Sequence, residues 1–260
     1  MTSRTVVHIT DMHVVAQPGG KVKAWDTKQS LQRVLDDVKT RFEHIDAIVL
    51  TGDLVHDEGL DAYRILDEMM AGVAEEIYCI PGNHDDVEVM EHYFGDTHRN
   101  VDYVRYAQVG AWQFVFLDSS VSGEVKGRIR EEDYNALHTL LESTTSPTAI
   151  YLHHPVVPVN VNWLDRLALE DSESFLKELE QYEHVRVVAC GHIHMALDRY
   201  HKHIRIIGTP STCFQFKGDV EHFEIDPVAP GYRYFILDDE GGFETEVRRV
   251  DNARCEEAKA

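Results

Sequence analysis

Basic residues are scarce in this chain. Twenty-five lysines and arginines stand against 46 aspartates and glutamates, a formal charge of −21 over 260 residues. A field of that sign repels phosphate backbones, so no nucleic-acid partner is expected. A small anionic substrate could still bind where a local cation reverses the potential. Cysteine is sparse too. Cys79, Cys190, Cys213 and Cys255 include no CxxC pair, which excludes a disulfide framework and a zinc knuckle and suits a reducing compartment. No stretch of 18 apolar residues occurs, and "MTSRTVVHITD" enters a strand-like run without an apolar leader. The expectation is a cytoplasmic protein with no membrane partner. Repeats, low-complexity tracts and linkers are lacking as well.

What is present is alternation. Val6 to Thr10 is a short apolar run closed by Asp11. Thr27 to Phe42 places Leu31, Val34, Leu35 and Val38 at helical spacing. "AIVLT" (47–51) reads as a buried strand, 60–70 as a helix, "EIYCI" (76–80) as a strand, 112–117 as a strand and 131–142 as a helix. Strands at 149–152 and 185–190 flank a helix at 172–181, and short β-like runs follow at 204–207, 232–237 and 244–250. Such alternation predicts α/β architecture with largely parallel sheets, arranged as two sheets flanked by helices. Residues 1–250 read as a single domain, and the charged 251–260 stretch as a disordered tail.

Reactive side chains in α/β proteins gather beyond the C-terminal ends of strands. The first strand is followed by "TDMH" (Asp11, His13), the second by "TGD" (Asp53) and the third by "PGNHDD" (Asn83, His84, Asp85). A later strand runs into "LHHP" (His153, His154), and another into "CGHIH" (His192, His194). Taken singly, "TGD" is a common turn and each histidine an ordinary polar ring. Their joint occurrence, each after its own strand, points to a metal centre. Mixed oxygen and nitrogen donors without thiolates suit Mn, Fe, Zn or Co rather than a structural zinc. So many donors exceed one ion's needs but suit two ions about 3.5–4 Å apart, bridged by one carboxylate. Asp53 is the natural bridge. In extended backbone, residues two apart point the same way, so each of the pairs Asp11/His13 and His192/His194 is expected to face one cluster. Adjacent His153 and His154 should diverge, leaving one as a ligand. The net positive pocket this creates favours a phosphate ester.

The set "DMH", "GDL", "GNHD", "HHP" and "GHIH" resembles the calcineurin-like metallophosphoesterases, with all five elements in order. Further stretches are similar to the bacterial class III cyclic nucleotide phosphodiesterases that act on 3′,5′-cyclic AMP: "KAWDTKQSLQ", "NWLD" (162–165), "TPSTCFQF" (209–216), "APGYR" (229–233) and "TEVRR" (245–249). The resemblance implies a four-layer αββα sandwich of two mixed sheets flanked by helices. It implies two metal ions per chain, often iron and manganese, with zinc, cobalt or magnesium as alternatives. Asp11, His13 and His194 would hold one ion, Asn83, His153 and His192 the other, and Asp53 would bridge. His84, oriented by Asp85, would contact phosphate with Asn83 and either stabilise the charge on its oxygens or donate a proton to the leaving oxygen. A metal-bound hydroxide would open 3′,5′-cyclic AMP to 5′-AMP.

Alternatives are another phosphodiesterase of this fold, acting on 2′,3′-cyclic nucleotides, glycerophosphodiesters or broadly, and a non-catalytic scaffold. "STCFQF" reads as a packed strand, with the wall of a base pocket as the second reading. Trp25 and Trp163 either rim the site or belong to the core. The chain is expected to be a monomer or homodimer.

Overall fold

The computed structural model describes residues 3–56, 59–95 and 99–251; the tail assigned to 251–260 lies, from 252 onward, outside the described residues. The strands are β1 (Arg4–Ile9), β2 (Ala47–Thr51), β3 (Glu76–Ile80), β4 (Tyr106–Val109), β5 (Trp112–Phe116), β6 (Thr148–Leu152), β7 (Val185–Cys190), β8 (Leu197–His201), β9 (Ile204–Gly208), β10 (Gln215–Phe216), β11 (Ile225–Asp226), β12 (Gly231–Leu237) and β13 (Phe243–Arg249). The helices are α1 (Thr27–Arg41), α2 (Leu60–Met70), α3 (Val87–Phe94), α4 (Glu131–Ser143), α5 (Asn162–Asp165) and α6 (Ser172–Leu179).

Two mixed sheets result. The first has the order β13-β12-β1-β2-β3, and the second β4-β5-β6-β7-β9-β8. In the first, β1, β2 and β3 are parallel, and β12 and β13 add antiparallel neighbours. In the second, β5, β6, β7 and β9 are parallel, with β4 and β8 antiparallel at the edges. β10 and β11 form a separate small ribbon. The unbroken apolar run of β2 is buried along its whole length, as a parallel strand covered on both faces requires.

Three apolar layers hold the sheets and helices together. Leu31, Leu35, Leu66 and Met90 from α1, α2 and α3 pack against Ile9, Ile48 and Leu50 of the first sheet. Val49, Trp112, Phe114, Tyr151 and Phe235 fill the space between the sheets. Leu137, Leu141, Phe175 and Leu176 from α4 and α6 cover Ile150 and Val188 on the far side. This is the expected αββα sandwich. The helix α1 starts where Asp26 caps the Gln29 N–H, and Lys39 and Arg41 end it, complementing the helix dipole. Among the described residues no helix is long and apolar enough to cross a membrane.

The strand order delivers the loops after β1, β2, β3, β6 and β7 to one end of the molecule. The loops after β1 and β2 are laced together by Asp11 N–H to Gly52 O and His13 N–H to Asp53 O. The loops after β6 and β7 are joined by Gly191 N–H to His153 O. Across the sheets the fit is closest at Gly191, where a Cβ would fall 1.9 Å from Thr10 Oγ1. Only glycine permits that approach.

Candidate metal centre

The strand-end residues converge into two nests of donor atoms. In the first, His13 Nε2 lies 3.4 Å from His194 Nε2 and 3.6 Å from Asp53 Oδ2, while His194 Nε2 lies 3.3 Å from Asp11 Oδ1. In the second, His192 Nδ1 lies 3.0 Å from Asn83 Oδ1 and 3.3 Å from His153 Nε2. His153 Nε2 is also 3.3 Å from Asn83 Oδ1 and 3.4 Å from Asp53 Oδ1. Asp53 thus sends one carboxylate oxygen to each nest. Donors about 2.0–2.2 Å from a shared transition-metal ion stand roughly 3.0–3.6 Å apart, which is the spacing found here.

The atoms facing one another are acceptors. His153 Nδ1 donates to the Thr51 carbonyl at 2.8 Å and His194 Nδ1 to that of Phe214 at 2.8 Å. A ring nitrogen that donates to a carbonyl leaves the other nitrogen of a neutral imidazole with a lone pair. The Nε2 atoms of both rings therefore face carboxylate oxygen, an arrangement that holds only with an ion or a proton between them. Burial, followed by the neighbouring imidazole charges, holds His13 and His192 well below the ordinary histidine range, in their neutral form. Burial also works against a proton on His153, yet the carboxylates of Asp53 and Asp11 raise it. Burial would lift the Asp11 carboxyl, but His194 outweighs it and keeps Asp11 an anion. A buried group of lone pairs and carboxylates calls for positive charge, and cations would supply it. These residues fit a metal centre.

The backbone beneath the nests is unusual. Asp11, His13, Asp53, His192 and His194 have φ of 52°, 46°, 47°, 65° and 45°, the left-handed region that side chains disfavour. The extended geometry inferred for the two pairs is therefore corrected. Asp11 and His13 do reach the same nest, but through a left-handed loop, and His192 and His194 divide between the two nests.

The expected divergence of His153 and His154 is not found: their ring planes stand 86° apart but their centroids are 4.9 Å from each other, and both offer a nitrogen to one group with His192. His154 is within reach of Ser119 Oγ at 2.8 Å and the Val125 carbonyl at 3.1 Å. Asp85 works differently from expectation. Its carboxylate accepts from the backbone N–H groups of Gly82, Leu54 and Val55 and from the Tyr63 hydroxyl. It shapes the loop that carries Asn83 and His84, and no hydrogen bond joins it to the His84 ring among the described residues. Burial and then the charge of Asp53 push its carboxyl up to about 7, against those N–H donors. His84 is fixed instead by its backbone N–H, which Asp53 Oδ1 accepts at 2.9 Å.

One residue escaped sequence reasoning. His56 brings Nδ1 within 3.3 Å of His13 Nδ1 and stacks on His84 with centroids 4.9 Å apart. The available signal was its position, three residues past Asp53 in the same loop. "TPSTCFQF" forms a strand only at its end. Its Ser211 hydroxyl donates to the Asp11 carbonyl at 2.8 Å, and the Phe214 ring lies along His13. Trp25 packs with Val15, Val22, Cys213 and Phe214 beside the site. Trp163 lines a cavity of about 310 Å³ into which Asp53, Asn83, His84, His192 and His194 also open.

Comparison with known proteins bears on the whole chain. A family model described as calcineurin-like phosphoesterase matches residues 4–196. The 3′,5′-cyclic adenosine monophosphate phosphodiesterase CpdA of Pseudomonas aeruginosa is 33% identical over 248 residues, covering 95% of this chain and 90% of that protein. The CpdA of Escherichia coli K12 is 33% identical over 251 residues, covering 96% and 90%. A dimetal phosphatase from Danio rerio superposes with a TM-score of 0.64 at 13% identity, over 95% of this chain and 99% of that one, and so shares the fold. Because the family model spans most of the chain and the two CpdA proteins match it at 33% identity over nearly its whole length, the chain belongs to the calcineurin-like phosphoesterases.

Proposed function

We propose that the chain is a dinuclear-metal phosphodiesterase that converts 3′,5′-cyclic AMP to 5′-AMP. The observation that carries the reading is the pair of donor nests meeting at Asp53, one oxygen in each. Asp11, His13 and His194 would hold one ion, Asn83, His153 and His192 the other, with iron and manganese suited to this oxygen and nitrogen set. When bound, such ions act as Lewis acids on phosphoryl oxygens and make a coordinated water acidic near neutral pH.

The chain's own groups supply the rest. Asn83 turns its Oδ1 to the second nest, which leaves its NH₂ to donate to a phosphoryl oxygen. His84 is half-buried and opens on the cavity, its ring flanked by His13 and His56. Water adds to phosphorus and releases a proton to solvent, the bond from phosphorus to the 3′-oxygen breaks, and His84 gives that oxygen its proton and takes one back from solvent. The cyclic AMP assignment is supported by the names of the relatives above. We read residues 1–250 as one domain, since both sheets share the inner apolar layer.

The test reconstitutes the protein with manganese and iron. It compares kcat/KM for 3′,5′-cyclic AMP, 3′,5′-cyclic GMP, 2′,3′-cyclic AMP and bis-p-nitrophenyl phosphate, alongside elemental analysis. The reading requires two ions per chain and the highest value for 3′,5′-cyclic AMP. One ion at saturating supply, or preference for another diester, overturns it.

A further inference from the structure

The cavity beside the metal centre has an aromatic wall that the phosphoryl chemistry does not use. Trp163 of α5, Phe216 of β10 and Phe223, just before β11, meet edge to face. Their centroids are 5.3 Å apart for Trp163 and Phe216, 5.7 Å for Trp163 and Phe223, and 5.4 Å for Phe216 and Phe223. Phe216 also lies flat on His194, at 4.0 Å and 9°. The wall thus abuts the first donor nest directly.

Packing beneath a loop would account for three clustered rings. It leaves two features unexplained. The indole Nε1 of Trp163 is buried and has no hydrogen-bond partner among the described residues, although a buried indole N–H usually finds one. Phe223 keeps 41% of its surface exposed at the cavity mouth, where Lys23 Nζ stands 5.2 Å from its ring centre. An open aromatic ring, a donor in need of an acceptor and a cation at the rim together suit a flat heteroaromatic group carried by an anion. A cavity of about 310 Å³ is at the small end for ligand pockets, the scale of a mononucleotide rather than a polynucleotide.

We infer that Trp163, Phe216 and Phe223 form the platform on which the substrate's nucleobase stacks, with the Trp163 N–H donating to a purine ring nitrogen. The inference rests on the nucleotide substrate proposed above. It makes these residues determinants of specificity, separate from the groups that act on phosphorus.

The experiment measures competitive inhibition of bis-p-nitrophenyl phosphate hydrolysis in the metal-loaded protein by 5′-AMP, ribose 5-phosphate and inorganic phosphate. In the wild type, 5′-AMP is expected to inhibit at least about tenfold more tightly than ribose 5-phosphate. Trp163→Ala and Phe223→Ala should bring that ratio toward one while the Ki of inorganic phosphate stays as in the wild type. Trp163→Phe, which keeps a ring and loses the N–H, should fall between. Should Trp163→Ala fail to fold, the exposed position of Phe223 carries the test. A wild-type ratio near one, or a ratio undiminished in both alanine variants, overturns the inference. Because the assay uses a generic diester, absence of cyclic AMP turnover would undo the functional reading and leave this ratio to be judged separately.

Discussion

A Cβ on Gly82 would stand 2.3 Å from the backbone nitrogen of Asp53. The loop carrying Asn83 and the loop carrying the shared carboxylate therefore touch backbone to backbone. Gly82→Ala must push them apart. It should destabilise the protein by about 1–3 kcal/mol and lower metal content, as read by urea unfolding and elemental analysis. Normal metal loading in this variant would contradict the close-contact argument.

Asp85 ties the same two loops through three backbone N–H groups and one hydroxyl. Asp85→Ala strands those donors, at about 1–3 kcal/mol for each buried group left unpaired. Tyr63→Phe removes one hydrogen bond and should cost about 1 kcal/mol. Denaturation midpoints of the two variants should rank in that order.

His84 and Asn83 should separate by readout. His84→Ala is expected to cut kcat by roughly 10²–10⁴, the usual worth of a general acid, with both ions retained. Asn83→Ala should lose turnover together with the second ion, since its Oδ1 faces His192 and His153. Turnover retained in both would refute the assigned roles.

Chelation offers a test of stability. The second nest joins β3, β6 and β7 loops from two different sheets, so ions held there stabilise the fold by mass action. Stripping metal should lower the Tm, and manganese should restore it. An unchanged Tm would mean that the loops hold their places unaided.

The pH dependence of stability has a contributor outside the centre. His8 is buried between the hydroxyls of Thr51 and Thr209, 2.7 Å from each. Burial, helped by the charge of Arg233, lowers it from 6.5 to about 3. The unfolded chain therefore takes up this proton first as the pH drops. Stability from this group is intact above the ordinary value and is lost on going from 6.5 toward 3, by up to about 1.4 kcal/mol per pH unit. His8→Gln should flatten that limb in urea titrations across the range.

The strands and helices that bury one clear stripe or a continuous run were legible in sequence. β2, α2, β3 and β7 fall at the residues expected, because their apolar spacing is set by the layers they enter. α3 was not legible: "VEVMEHYF" alternates like a strand at its start, and the Asp86 cap that begins the helix follows directly on "GNHD". β4 and β8 lie at sheet edges with largely exposed side chains, so their pairing partner rather than their own pattern defines them. That these residues gather was legible because each follows a strand; the division of His192 and His194 followed from the motif resemblance and not from their spacing of two. That division depends on left-handed backbone, which no side-chain pattern announces. The contact of His56 with His13 likewise arises from the packing of two loops.

At five of the seven donor positions, the residue that would relax the chain is one that cannot bind anything. Glycine at 11, 13, 53, 192 or 194 would adopt the required dihedrals with ease, whereas each aspartate or histidine there costs about 1–2 kcal/mol. Selection for robustness and selection for catalysis thus pull against each other at the same points. A directed-evolution campaign that rewards heat tolerance alone should gather its inactive clones at these five codons.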